Sequence, residues 1–266
     1  VDAGDWFRVG LVADTHLCCQ EERLEALHCQ YDLFKSEGIS SVLHAGNLVD
    51  GCVPKINGAS VIVSTPDDQA QYVIDNYPTR AGITTYYITG DDHEGWWIKQ
   101  GLNWGIMLQY MAKAQAREDL HYIGHVEADV EIMVPDTVKK PVIKIQHPGG
   151  GSCYARSYAP QRTIESLEGG EKPDVLVQGH YHVNGFWNER NVHVITLPGF
   201  QDQTIFGRKK RLRFEVGGAI LEFKVNSAGA ITRCRCEFNM FFNRGYYKAF
   251  LRSDRKLLKG HLRLTV

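Results

Sequence analysis

Five times along this chain an apolar run of strand length ends in a cluster of metal-ligating side chains, and that repetition constrains the fold more than any other feature. Residues 7–13 lead into Asp14, Thr15 and His16; residues 41–45 into Gly46-Asn47-Leu48-Val49-Asp50-Gly51; residues 83–89 into Gly90-Asp91-Asp92-His93-Glu94. Residues 141–146 lead into His147, followed by Pro148 and three glycines, and residues 174–178 into Gly179-His180-Tyr181-His182. Open α/β sheets place their sites outside the C-terminal ends of their strands. A carboxylate supplies a hard oxygen and an imidazole a nitrogen, so Asp and His two apart in a turn can reach one cation. Taken singly, each cluster is an ordinary acidic or histidine-bearing turn. Five in succession describe a site.

Between the strands the pattern is helical. Leu24, Leu27, Tyr31 and Phe34 fall at helical spacing within residues 21–35, and further helices are expected at 66–77 and 103–117. Thr65, Pro66, Asp67 and Asp68 give a cap, a proline at the first helical position and two acids at the positive end of the helix dipole. From Val126 the alternation of Val126, Ala128, Val130, Ile132 and Val134 predicts a half-exposed strand. Strands then dominate, at 141–146, 174–178, 192–197, 213–225 and 231–238, with one helix near 160–167 and a hairpin turn at Asn226-Ser227-Ala228-Gly229. No repeat or linker marks a boundary, so one domain over 1–266 is expected, two α/β halves around one core.

The five ordered clusters resemble the signature of the calcineurin-like metallophosphoesterase superfamily: Asp-x-His, Gly-Asp-x-x-Asp, Gly-Asn-His-Asp/Glu, a single His, and Gly-His-x-His. The likeness spans residues 7–200, and its finer affinity is to bacterial and phage-type phosphoesterases grouped with DNA-repair nucleases. The resemblance implies a two-sheet β-sandwich flanked by helices, a four-layer αββα fold, with two divalent metals at one edge. It implies that Asp14, His16 and His182 hold the first metal, that His147 and His180 hold the second, and that His93 stands beside the scissile phosphate as general acid. The expected ion is manganese, with iron, zinc or nickel as alternatives.

Two positions depart from that signature. The metal-bridging aspartate falls on Asn47, a neutral amide that bridges two cations poorly. The asparagine ligand falls on Asp92, with Asp91 as an extra residue and the alternate ligand. A carboxylate has left one position and arrived at the other, either as a compensated exchange or as a substitution at Asn47 that slows turnover. A decayed site is disfavoured because every motif histidine is present.

Charge is divided along the chain. Residues 207–266 carry fifteen Lys and Arg against four acids, while the whole chain has a net charge of −1. An acidic front suits divalent cations and a basic rear, including Arg208-Lys209-Lys210-Arg211, suits a phosphate-rich partner, although a solvated basic surface is the plainer reading. Tyr154, Arg156, Tyr158 and Arg162 mix rings with guanidinium groups and are candidates for substrate binding, Gly149-Gly150-Gly151 for backbone approach to phosphate, and Trp96 and Trp97 for a wall of the site. The expected function is two-metal phosphoester hydrolysis, as a phosphodiesterase or nuclease acting on nucleic acid or nucleotides. The alternatives are a phosphomonoesterase, including a protein phosphatase, and a noncatalytic nucleic-acid-binding or virion-associated module. Seven cysteines without a Cys-x-x-Cys pair predict reduced thiols, and no run of eighteen apolar residues predicts a membrane span, so the expected address is the cytoplasm. The chain opens at Val1 without an initiator Met, which suggests trimming from something longer.

Overall fold

The computed structural model describes residues 5–53, 57–58, 60–151 and 153–241. In chain order its elements are β1 (Trp6–Val12), α1 (Leu24–Ser36), β2 (Ser41–Ala45), α2 (Pro66–Asn76), β3 (Thr84–Thr89), α3 (Gly95–Ile98), α4 (Trp104–Ala114), β4 (Leu120–His125) and β5 (Glu127–Glu131). There follow β6 (Val142–Gln146), α5 (Tyr158–Ser166), β7 (Val175–Gln178), β8 (Gly185–Glu189), β9 (Val192–Thr196), α6 (Ile205–Lys210), β10 (Gly217–Val225) and β11 (Ile231–Met240). They build a six-stranded sheet in the order β11-β10-β1-β2-β3-β4 and a five-stranded sheet in the order β5-β6-β7-β9-β8. The strands β1 to β4 run parallel, as do β6, β7 and β9. Two sheets flanked by helices make the αββα sandwich that the sequence leads one to expect.

The apolar interior lies in three slabs, not in one core. Val9, Leu11, Leu43 and Ile88 of the first sheet meet Ile143, Ile145, Val175 and Ile195 of the second. On the outer face of the first sheet Val12, Val42 and Tyr87 pack against Leu27, Tyr31 and Phe34 of α1, Val73 of α2 and Leu108 of α4. A thin third slab, Ile164 with Leu176 and Val194, lies under α5. Central strands β1, β2 and β7 are buried on both faces, and so read as continuous apolar runs.

Local signals set the helix starts where tertiary contacts leave them free. Thr65 caps α2 by accepting from the Asp68 amide, and Asn103 caps α4 by accepting from that of Ile106. The first helix begins at Leu24 and not at residue 21, because its forerunners are used elsewhere. Glu22 accepts from the Cys18 amide at 2.8 Å and Arg23 pairs with Asp202 at 2.9 Å. The alternating run from Val126 is likewise shorter than expected. Val126 adopts a φ of 66°, turning the chain from β4 in one sheet to β5 in the other, and the strand ends at Glu131. Part of the basic rear, residues 242–266, lies outside the described residues. All seven cysteines are free thiols. Among the described residues no helix is long and apolar enough to cross a membrane.

Candidate metal centre

The strands that carry the five clusters bring them to one edge of the sandwich. The loop after β1 is stitched to the loop after β2 by Asp14 N–H donating to Gly46 O at 3.0 Å and His16 N–H to Asn47 O at 3.1 Å. His147, after β6, donates from Nδ1 to Ala45 O at 2.7 Å, which joins the two sheets at this edge. Asp14 Oδ2 accepts from the His180 amide at 2.7 Å, so the loop after β7 closes the ring. The geometry is demanding: Asp14, His16, Asn47, His180 and His182 all have φ between 43° and 77°. That region is costly for non-glycine residues, and it concentrates where a site imposes its own backbone.

Among the described residues three groups of three side chains result, of which one, His16, Asp50 and His93, shares His16 with another. Asp14, His16 and His182 form the first, with His16 Nε2 3.6 Å and His182 Nε2 3.5 Å from Asp14 Oδ1. Asp92, His147 and His180 form the second, with His147 Nε2 3.5 Å from Asp92 Oδ1 and His180 Nδ1 3.3 Å from Asp92 Oδ2. His147 Nε2 also lies 3.9 Å from Asp14 Oδ1, so the groups adjoin. Each group has one carboxylate and two imidazoles, a donor set suited to manganese, iron or zinc.

Five of the buried polar atoms that lack a hydrogen bond converge at this edge. Asp14 Oδ1, His16 Nε2, Asn47 Oδ1, Asp92 Oδ1 and His147 Nε2 are all buried, and among the described residues none has a hydrogen-bond partner. Leaving one such atom unsatisfied costs about 1–3 kcal/mol, so five together need an explanation that a divalent cation provides. The outer nitrogens of His16, His147 and His180, by contrast, are fixed. His16 Nδ1 meets Asp50 Oδ1 at 2.9 Å, and His180 Nε2 donates to Gly150 O at 2.7 Å. These bonds, with that of His147, set tautomers whose free nitrogens face the centre. The residues present fit a pair of divalent ions.

The Asn47 side chain lies beside the second group, with its Oδ1, His147 and Asp92 all crowding the same face of Gly90. A Cβ added to Gly90 would collide with Asn47 Oδ1 and come within 2.9 Å of His147 Cδ2 and 3.1 Å of Asp92 Oδ1, so the exchanged pair flanks one glycine that has to be a glycine. Asp92, not Asp91, faces the imidazoles. Asp91 turns out to Lys99 at 2.9 Å and His125 at 3.9 Å.

Electrostatics follow the geometry. Burial disfavours the charge of Asp14, but the His182, His147 and His16 rings hold its carboxyl well below the ordinary range. Burial likewise opposes the charge of Asp92, and His147 and His180 hold its carboxyl below the ordinary range. His93 lies outside the first and second groups, its Nδ1 2.8 Å from Asp50 O and 3.3 Å from Asp50 Oδ1, its Nε2 4.0 Å from Asp92 Oδ2. Burial pulls its pKa down, yet the Asp50 and Asp92 carboxylates win and raise it to about 10. At His182 burial, helped by the nearby His16, His180 and His93 rings, outweighs Asp14, and the pKa falls to about 3.

Asp50 has no role assigned from sequence, and it proves to be the hub behind the first group. Besides His16 and His93 it receives Gln201 Nε2 on Oδ1 at 3.2 Å and Asn57 Nδ2 on Oδ2 at 2.8 Å. Both oxygens are thus occupied, which makes Asp50 a support for the histidines. Glu94 is a second such residue: buried, its Oε1 accepts from the amides of Asn47 at 2.9 Å and Gly90 at 3.0 Å, binding the second cluster to the third. Asp50 is visible as the last residue of Gly-Asn-x-x-Asp; the Glu94 partners are backbone groups and leave no sequence signal.

The proposed substrate residues divide. Arg156 reaches Asn184 O at 3.4 Å, near His182, and Tyr154 and Tyr158 are exposed. Arg162 is drawn elsewhere, sharing Glu165 with Arg190 in the β8–β9 turn, at the end of the sheet away from the clusters. The glycine run holds His180 through Gly150 O. Trp97 packs into the core against Trp104 at 6.0 Å, whereas Trp96 is 41 % exposed just past His93.

No known sequence-family profile matches the chain, and no curated protein does. Solved structures resemble it. A novel archaeal phosphodiesterase shares 16 % identity, the match covering 88 % of this chain and 100 % of that one, with a TM-score of 0.45. A phosphoesterase assigned by prediction in Streptococcus pneumoniae shares 9 %, covering 90 % and 100 %, at 0.39. Vps29 of Entamoeba histolytica, complexed with zinc, shares 10 %, covering 88 % and 99 %, at 0.37.

Proposed function

We propose that this chain is a calcineurin-like metallophosphoesterase, a two-metal phosphoester hydrolase acting on phosphodiesters of nucleic acid or nucleotides. The observation that carries the reading is that two adjoining groups of one carboxylate and two histidines hold four buried, unpartnered donor atoms, Asp14 Oδ1, His16 Nε2, Asp92 Oδ1 and His147 Nε2, with a fifth, Asn47 Oδ1, beside Asp92. Asp14, His16 and His182 would hold one ion and Asp92, His147 and His180 the other, with Asn47 as a further ligand. Bound there, two divalent cations, manganese first among them, supply charge for the phosphoryl oxygens and a nucleophile at neutral pH.

The protein's own part is positional and acid–base. Hydrogen bonds from the outer nitrogens of His16, His147 and His180 keep their inner nitrogens aimed at the centre. His93, kept protonated by Asp50, presents Nε2 beside Asp92, where it would donate a proton to the departing ester oxygen. Its neighbour Trp96 would cover the face of the bound ester.

Hydrolysis of bis-p-nitrophenyl phosphate and p-nitrophenyl phosphate in added manganese tests the reading. The diester is expected to be the better substrate, and both reactions to stop with chelator. His93→Ala is expected to slow diesters with poor leaving groups by about 10²- to 10⁴-fold and those with good ones far less. Preference for the monoester would move the assignment to a phosphomonoesterase. Hydrolysis of neither would leave a binding module.

A further inference from the structure

The segment between β9 and β10 is fastened at both ends to the candidate metal centre. At its start Gln201 donates to Asp50 Oδ1 at 3.2 Å, and Asp202 pairs with Arg23 at 2.9 Å. At its end the Glu215 amide donates to His182 O at 2.9 Å, and the Phe214 ring lies 4.4 Å from the His182 ring. The middle of the segment is α6, capped by Thr204 Oγ1. A Cβ on Gly207 of α6 would fall 2.6 Å from the Phe214 ring, so the helix rests on Phe214 as Phe214 rests on His182. One aromatic ring separates α6 from a metal-facing imidazole.

The outward side of this helix is charged and apolar at once. Arg208, Lys209, Lys210 and Arg211 are exposed, and among the described residues none of the four is ion-paired, whereas the nearby Arg213 and Arg156 share Glu215 at 2.6 Å and 4.0 Å. Four adjacent unpaired cations repel one another, a cost that a polyanion relieves. Ile205 and Phe206 stand exposed in the same turn, at 39 % and 38 %. A cationic stripe with a ring beside it is the pairing by which proteins hold single strands, cations on the backbone and rings under unstacked bases.

We propose that α6 and Arg211 form a binding track for single-stranded nucleic acid, which they lead past His182 to the metal centre. The proposal rests on the phosphoester hydrolase reading for what happens at the end of the track, and the track itself is independent of it. Backbone charge dominates such binding, so the strand is recognised by its phosphates, and sequence is read weakly.

The experiment measures binding of fluorescein-labelled oligo(dT) to the full chain from 50 to 300 mM salt, in chelator, alongside manganese-dependent hydrolysis of bis-p-nitrophenyl phosphate. The quadruple variant Arg208→Gln, Lys209→Gln, Lys210→Gln and Arg211→Gln is expected to bind at least about tenfold more weakly at low salt. Its salt slope should be shallower by up to about 3, since each phosphate that a cation no longer neutralises removes roughly 0.7. Phe206→Ala is expected to weaken binding about 5- to 100-fold with the slope unchanged. Both variants should hydrolyse the small diester as the parent does. An unchanged slope in the quadruple variant overturns the track, as does binding to phosphatidylserine vesicles without binding to the oligonucleotide. A parent that fails on the small diester, while the quadruple variant loses oligonucleotide binding, removes the hydrolase reading and leaves the track standing.

Discussion

Asp92→Asn is expected to empty the second metal position and to abolish most turnover, and adding Asn47→Asp to it is expected to restore both. Asp92 is the only carboxylate in its group, with one oxygen 3.5 Å from His147 Nε2 and the other 3.3 Å from His180 Nδ1. Losing a residue that merely supports a ligand costs about 10- to 100-fold in metal affinity, and losing the ligand charge itself should cost more. Asn47 Oδ1 is buried, unpartnered and pressed against the same face of Gly90 as Asp92 Oδ1, close enough for a carboxylate there to serve the same ions. Asn47→Asp alone adds a charge to a balanced site, so metal should bind tighter while turnover stays level or falls. In a double-mutant cycle the pair should therefore couple by about 0.5–3 kcal/mol or more. Metal content by elemental analysis and diester turnover give the two readouts. A rise of orders of magnitude from Asn47→Asp alone would instead make Asn47 a lesion, and additive effects would separate the two positions.

Asp50→Ala should be among the most damaging changes outside the metal-facing groups. It strips His16 of its orienting carboxylate, His93 of the charge that keeps it protonated, and Asn57 and Gln201 of their acceptor. Breaking a buried ion pair from one side costs about 3–5 kcal/mol, which in a chain of this size lowers the melting temperature on the order of 10 °C. Turnover should drop by about 10²-fold or more as His16 loses its tautomer and His93 its proton. The loss has a pH signature in metal-free protein. Asp50 is held below its ordinary 3.8, so its contribution is absent in acid and present above that value. The His93 pKa is raised from 6.5 to about 10, so that partner's contribution is complete below 6.5 and disappears as pH rises through about 10. The gap in melting temperature between parent and variant should be widest between about pH 5 and 6.5 and should narrow steadily towards pH 10. A gap independent of pH would reduce Asp50 to a packing residue.

What the sequence discloses and what it hides follow from where each signal resides. Strands such as β1 and β7 sit between two apolar layers and are legible as unbroken runs. The edge strands β4 and β8 are not: Leu120 is the sole fully buried residue of β4, and β8 exposes Phe186 and Asn188, so neither has a periodicity strong enough to read. Helix α6 leaves little trace because six residues with a cap at Thr204 carry too few apolar positions. At the centre, Asp14, His16, His147, His180 and His182 follow strands directly, and strand ends locate them. Asp91 and Asp92 are separable only by direction, since one points to Lys99 and the other to His147. Gln201 and Phe214 support the site from a loop without any motif, and contact across the fold is what assigns them.

The most direct measurement is an anomalous-difference map of crystals grown with manganese. Two peaks are expected in each chain, one among Asp14, His16 and His182 and the other among Asp92, His147 and His180, with Asn47 as a further ligand. A single peak among His16, Asp50 and His93, or no peak at the five unpartnered atoms, would contradict the two-metal centre.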